Sequence, residues 1–228
     1  GSTPNRNLRS IGYGGLHHAQ HPLARADGQL LFTNWDDSGL RESYGVATLY
    51  RCRSDGTPLE QYLEPHNGQK KVDHFVTQLG TGSIVVVNYY PFMAMWGFGL
   101  LHRYPYDPTG VDFNLAETPA ERDYRAFSRK GIKNITPHTH AEDVAAPNNS
   151  GRYTTPAAAP NAAMIVAYSP GPVVRIGNNG SVNTPRPDSG IYRIESAETA
   201  AITDPKQLVL VKNDPNYNEM YPRPVVPY

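Results

Sequence analysis

Six of the eight histidines fall into three groups along the chain: His17, His18 and His21; His74; and His138 with His140, followed closely by Glu142 and Asp143. Imidazole and carboxylate together suit a divalent transition metal, and a His-x-His pair in an extended segment turns both rings to one face. The spacing matches no compact ligand motif such as His-Glu-x-x-His, so a shared ion would require the fold to bring the groups together. A structural alternative stands beside it, in which each ring hydrogen-bonds a neighbouring segment. Other chemistry finds little support. Cys52 stands between two arginines in an extended stretch, and no serine sits in a Gly-x-Ser-x-Gly elbow. The glycines around Gly12–Gly15 and Gly97-Phe98-Gly99 lack the following helix that a phosphate cradle needs. No Cys-x-x-Cys-His occurs, which excludes covalent c-type haem on this chain. Asp36-Asp37 and Glu142-Asp143 are adjacent pairs that read as solvated loop charges.

Aromatic residues form a second candidate surface. Tyr89, Tyr90, Phe92 and Trp96 lie within one short stretch, and Trp35 occupies the corresponding place in an earlier one. Exposed, such a cluster marks a protein or ligand contact; buried, it plugs the neighbouring layer. Both readings stay open.

The elements that would position these residues emerge when the chain is laid against itself. The stretch opening at His21 and running to Thr33 is matched 54 residues later by Phe75 to Val87, and again by Thr155 to Ala167. Each copy reads as a short strand, a tight turn (Asp27-Gly28, Thr81-Gly82, Asn161-Ala162) and a strongly apolar strand. Asp-Gly is a strong hairpin signal because the turn demands positive φ, and the third copy lacks the glycine. A second hairpin follows in each copy: Thr48–Cys52 with Leu59–Leu63, Gly99–Tyr104 with Val111–Phe113, and Gly190–Ile194 with Gln207–Val211. Four strands per unit is the pattern of β-propeller blades, so the expected fold is all-β, with about three four-stranded repeats at 17–66, 70–115 and 136–214 in one domain spanning 1–228. A β-sandwich with similar turns is the competing architecture. Three blades do not normally close a ring, which points to an incomplete propeller or one completed by another domain or chain.

Between the two hairpins of every copy lies an insertion, at 34–46, 88–98 and 168–189. Equivalent insertions should emerge on one face, bringing Trp35, Trp96 and Asn179 to the same side. The segment 116–130 is the helix candidate, with Thr118 as cap and Pro119 at the first helical position.

Composition narrows the classes further. Gly 20 and Pro 21 are scattered through 228 residues, as turns between many short segments require. Twenty-one basic and twenty-one acidic side chains cancel, and no run supplies the concentrated basic field that nucleic acid needs. No apolar stretch approaches the roughly 18 residues of a membrane-crossing helix. A single cysteine rules out an intramolecular disulfide. Gly1-Ser2 has the look of a cloning remnant, so a targeting segment is not expected to be readable here.

Several segments carry a resemblance: His21-Pro22 with Asp27-Gly28-x-Leu30-Leu31-Phe32-Thr33-x-Trp35, then Asp73-His74-Phe75, Ser169-Pro170-Gly171-Pro172, Asp188-Ser189-Gly190-Ile191-Tyr192, and the tail from Lys212 to Tyr228. This text resembles bacterial propeller-containing proteins related to the α subunit of hydrazine synthase. The resemblance implies a large extracytoplasmic protein, periplasmic or secreted, in which a propeller abuts further domains. It is one of scaffold, with no catalytic signature inside it, and the missing haem motif keeps hydrazine chemistry from being carried over. Two functions follow as expectations. The first is a binding or scaffold module docking a protein partner through its insertion-rich face. The alternative is a metal-dependent enzyme with His17, His18, His21, His74, His138 and His140 near the propeller axis.

Overall fold

The computed structural model describes residues 17–36, 46–62, 72–89, 97–106, 111–112, 128–129, 133–139, 151–171 and 187–225. These residues are all-β. The strands are β1 (His17–Ala24), β2 (Leu30–Asp36), β3 (Val46–Cys52), β4 (Glu60–Gln61), β5 (Val72–Gln78), β6 (Ile84–Tyr89), β7 (Leu100–Tyr104), β8 (Val111–Asp112), β9 (Ser128–Arg129), β10 (Lys133–Asn134), β11 (Arg152–Ala158), β12 (Met164–Ser169), β13 (Gly190–Ile194) and β14 (Val209–Lys212). A three-residue 3-10 turn at Pro205–Gln207 is the only helical element among the described residues. Accordingly, no helix among them is long and apolar enough to cross a membrane.

Three blade-like antiparallel units follow one another. The first has the order β1-β2-β3-β4, the second β5-β6-β7-β10 and the third β11-β12-β13-β14. A parallel bridge, Ala47 to Val72, joins the first unit to the second, and an isolated antiparallel bridge, Gly99 to Tyr153, joins the second to the third. The first strand of the second unit, β5, packs against both β1 and β11. This arrangement is that of propeller-like blades, and the described residues form no closed ring.

The side chains of β6 explain the stacking. Ile84-Val85-Val86-Val87 is a continuous apolar run, the signature of a strand covered on both faces. Successive strand residues point to opposite sides. Ile84 and Val86 therefore join Leu31, Leu49, Tyr62 and Tyr104 in a core shared with the first unit. Val85 and Val87 join Tyr153, Met164, Val166, Tyr168 and Ile194 in a core shared with the third. The middle unit is thus the filling of a three-layer stack.

The hairpin turns obey their residues. Gly28 and Gly82 adopt φ 81° and 89°. In the first turn Gly28 N–H donates to the Arg25 carbonyl and Arg25 N–H to the Gln29 carbonyl, and Leu79, Gly82 and Ser83 repeat the pattern. This is a three-residue loop closed by a left-handed glycine. The third copy, lacking that glycine, closes a loop of the same length, Ala159 N–H to the Ala163 carbonyl, with its turn one residue later and both Asn161 and Ala162 at φ 61°. The turn Pro160–Ala163 within it has positive φ at both central residues, a conformation that asparagine tolerates better than most non-glycine residues.

Two outer elements differ from the sequence expectation. The second unit does not use 111–113 as its outer strand: β8 pairs with β9 in a small separate sheet, while Lys133-Asn134 pairs with Arg103 and His102 of β7. The place beside β7 is held by 133–136, where Ile135 N–H donates to the Leu101 carbonyl and the Thr136 hydroxyl accepts from Leu101 N–H. Ser128 and Arg129, the end of the expected helix, are extended in β9, and the rest of 116–130 lies outside the described residues. The third unit begins at Arg152, with 133–139 attached to the second.

Candidate functional site

The first strand of every unit is interrupted at the same place. Register shifts fall between Gln20 and Leu23, between His74 and Thr77, and between Thr154 and Ala157. At each shift one non-glycine residue turns left-handed: His21 at φ 51°, Phe75 at φ 51° and Thr155 at φ 47°. These are the three residues that open the three aligned repeats. A left-handed non-glycine residue costs of order 1–3 kcal/mol, and a β-branched threonine is the least suited to it. Pro22 and Pro156 follow two of the three. Proline donates no ladder hydrogen bond, so a bulge is where an inner strand can accept it.

The three bulges line one cavity of about 210 Å³. His21, Pro22, Phe75, Val76, Thr155 and Pro156 form its walls, and Tyr221 and Arg223 reach it from the C-terminal tail. Tyr221 is itself left-handed at φ 54°, and its N–H donates to the Thr155 hydroxyl at 3.1 Å. The His21 ring lies 4.3 Å from that of Phe75, centroid to centroid, and Phe75 meets Tyr221 edge-on at 6.1 Å.

Beside this cavity two of the expected histidines meet. His21 Nδ1 and His74 Nδ1 are 3.2 Å apart. One nitrogen must carry the hydrogen and the other must accept it, so at least the accepting ring is neutral. Burial enforces this. His74 is pushed down to about 3, first by desolvation and then by the proximity of His21, while desolvation lowers His21 as well. The adjacent Asp73 is buried and holds the joint rigid. Its carboxylate accepts from Asn88 Nδ2 and the Tyr104 hydroxyl, and its backbone carbonyl accepts from the Thr33 hydroxyl of the first unit.

His138 occupies a different place. Its Nδ1–H donates to the Ile202 carbonyl at 2.7 Å, and the Tyr153 hydroxyl donates to its Nε2 at 2.9 Å. That tautomer is neutral, and burial lowers the ring's pKa against the opposing influence of the Ile202 carbonyl. His138 therefore ties β11 to the 202 loop and takes no part in the His21–His74 pair. His17 and His18 pair with Asp36 and Trp35 along β1–β2, but their side chains, and His140 altogether, lie outside the described residues. Among the described residues no three His, Cys, Asp or Glu side chains are grouped to hold an ion.

Of the aromatic candidates, Trp35 lies near the end of β2 and Tyr89 ends β6, their side chains outside the described set. Tyr90, Phe92 and Trp96 lie outside it entirely, as do 37–45 and 172–186, which hold most of the other two insertions. All three insertions connect the second strand of a unit to the third. The residues that sequence reasoning missed are Phe75, Thr155, Tyr221 and Arg223. The first two head their repeats, and that shared position was the available signal.

No protein-family model matches the chain, and no curated protein matches it either. Among solved structures, Kuenenia stuttgartiensis hydrazine synthase is similar, with a TM-score of 0.55 and 21% identity over 89% of this chain. The similarity is one of fold. The chain spans about 20% of the length of that structure's chain.

Proposed function

We propose that this chain is a propeller-like scaffold that docks a protein partner, and that an extended apolar segment of the partner adds to the outer edge of β14. The observation that carries this reading is the character of that strand. Val209, Leu210 and Val211 are 48%, 56% and 58% exposed, so the strand is open on both faces. It is also the last strand of its sheet among the described residues, none of which pairs with its outer side in a strand ladder. Natural proteins guard such edges with charge or bulges; β14 carries a register shift at Val211 and a lysine at its end, and between Lys206 and Lys212 it still presents three consecutive exposed aliphatics. An edge of this kind is complementary to another strand, which gains ladder hydrogen bonds and apolar contact together. Exposed Tyr217 and Val225 on the following tail extend the apolar surface. The three insertions, each joining the second strand to the third, would supply a further contact surface with Trp35, Tyr89, Tyr90, Phe92 and Trp96. An extracytoplasmic setting is part of this reading, which the sequence resemblance to hydrazine synthase relatives supports. The metal-dependent alternative has two ring nitrogens in its support among the described residues, one fewer than the three protein ligands of a catalytic zinc site.

A photoreactive benzoylphenylalanine placed at Val209 in the native host tests the reading, with Lys206 as the control position. The expected result is one recurrent protein adduct through Val209, absent through Lys206 and abolished by Leu210→Lys. No adduct, or the same adducts from both positions, would overturn it.

A further inference from the structure

We infer that the cavity between the three bulges is a binding site for a small aromatic carboxylate. Six non-glycine residues among those described hold a left-handed backbone, and four of them, His21, Phe75, Thr155 and Tyr221, line this one cavity. Strain of this kind gathers where surrounding structure over-determines a site. Three of the four follow from the repeated bulge. Tyr221 does not, since it belongs to the tail and to no repeat, so its strained backbone is specific to the cavity.

The lining defines the ligand. Phe75, Tyr221, Pro22 and Pro156 offer flat apolar surfaces, and the Phe75 and Tyr221 rings meet at 66° with centroids 6.1 Å apart. An aromatic ring is attracted to such walls face-on or edge-on. A volume of about 210 Å³ admits a single ring with one substituent, and little more. At the rim, Arg223 donates from Nη1 to the Pro222 carbonyl at 2.9 Å, and no acidic side chain pairs with it among the described residues. A guanidinium in that state presents further N–H groups in a planar fork that fits a carboxylate. Its stem is flanked by Pro222 and Pro224, which fix the local backbone. The His21 ring, paired through Nδ1 to His74, keeps its other nitrogen for a polar substituent. The site is thus apolar and aromatic within, with one cation at its mouth and no opposing carboxylate in its lining.

Benzoate is the probe. Titration followed by NMR should shift the His21 and Phe75 ring resonances saturably. Benzamide, which keeps the ring and removes the charge, should bind about tenfold more weakly, as should benzoate to Arg223→Gln. Arg193→Gln, an exposed arginine paired with Glu195 elsewhere, should leave benzoate binding unchanged. Cyclohexanecarboxylate should lose affinity through poorer stacking. Failure of benzoate to saturate those resonances would overturn the inference, as would equal affinity in Arg223→Gln and the parent. Because the cavity and the β14 edge share no residue, either assignment can fail while the other stands.

Discussion

Acidification should weaken this fold through His74, and the effect can be worked out from its surroundings. An unfolded histidine titrates near 6.5, whereas burial and the neighbouring His21 hold folded His74 at about 3. Below pH 6.5 the unfolded chain takes up a proton that the folded chain refuses, so the unfolded state binds more protons and stability falls with falling pH. The loss begins as pH drops through 6.5 and levels off below about 3. One unit of displacement corresponds to roughly 1.4 kcal/mol, so moving from pH 7.5 to 5.0 should cost about 2 kcal/mol from this residue alone. His21 and His138, also lowered, act in the same direction. Urea denaturation at the two pH values, on the parent, on His74→Gln and on the His21→Gln variant, isolates the residue, since His21 is the one other titrating group in direct contact with His74 among the described residues. The parent should lose about 2 kcal/mol more than His74→Gln over that interval. Identical pH dependence in these two proteins, or an NMR titration of His74 with a midpoint near 6.5, would refute the argument.

Two further outcomes follow. Gly28→Ala and Gly82→Ala both place alanine at positive φ, but a Cβ at Gly28 meets nothing within 4 Å while one at Gly82 would lie 2.5 Å from Tyr106 Cδ2. Thermal melts should therefore show a loss of about 1 kcal/mol at position 28 and a clearly larger one at 82. Arg25 is buried, stands 4.8 and 5.2 Å from the Tyr106 and Tyr62 ring centroids, pairs with Asp27 and donates to the Tyr106 carbonyl. Arg25→Lys keeps the charge and loses the planar fork, so chemical denaturation should record a loss of about 2 kcal/mol; a change below roughly 0.5 kcal/mol would remove Arg25 as a joint between the first two units.

The repeat was legible because hairpin chemistry is local: Asp27-Gly28 and Thr81-Gly82 announce their turns, and the apolar strand after each turn needs no distant information. The offset of 54 residues between the first two copies places His21 and Phe75 at identical bulges. The bulges themselves were not legible. No residue type demands a left-handed backbone at histidine, phenylalanine or threonine, and tertiary packing imposes it. The outer strand of the second unit was equally hidden, since Val111-Asp112 and Lys133-Asn134 are both short and only the completed edge of β7 distinguishes them. His21 and His74 hydrogen-bond each other, whereas His138 bonds the Tyr153 hydroxyl and the Ile202 carbonyl, a difference set by tertiary packing that histidine spacing does not carry. The cavity depends on Tyr221 and Arg223, which lie just beyond the third repeat, match no position within it, and reach the cavity through the path of the tail.

The double coverage of β6 also bears on how the molecule comes apart. Stacked repeats commonly lose their ends first, each unit melting nearly alone. Here a single strand gives Ile84 and Val86 to one core and Val85 and Val87 to the other. Opening that strand would strip both flanking layers of their apolar partners at once, and neither layer could melt without uncovering one side of it. The three units are therefore coupled like the leaves of a hinge on a common pin, and the described β-core should open as one cooperative body.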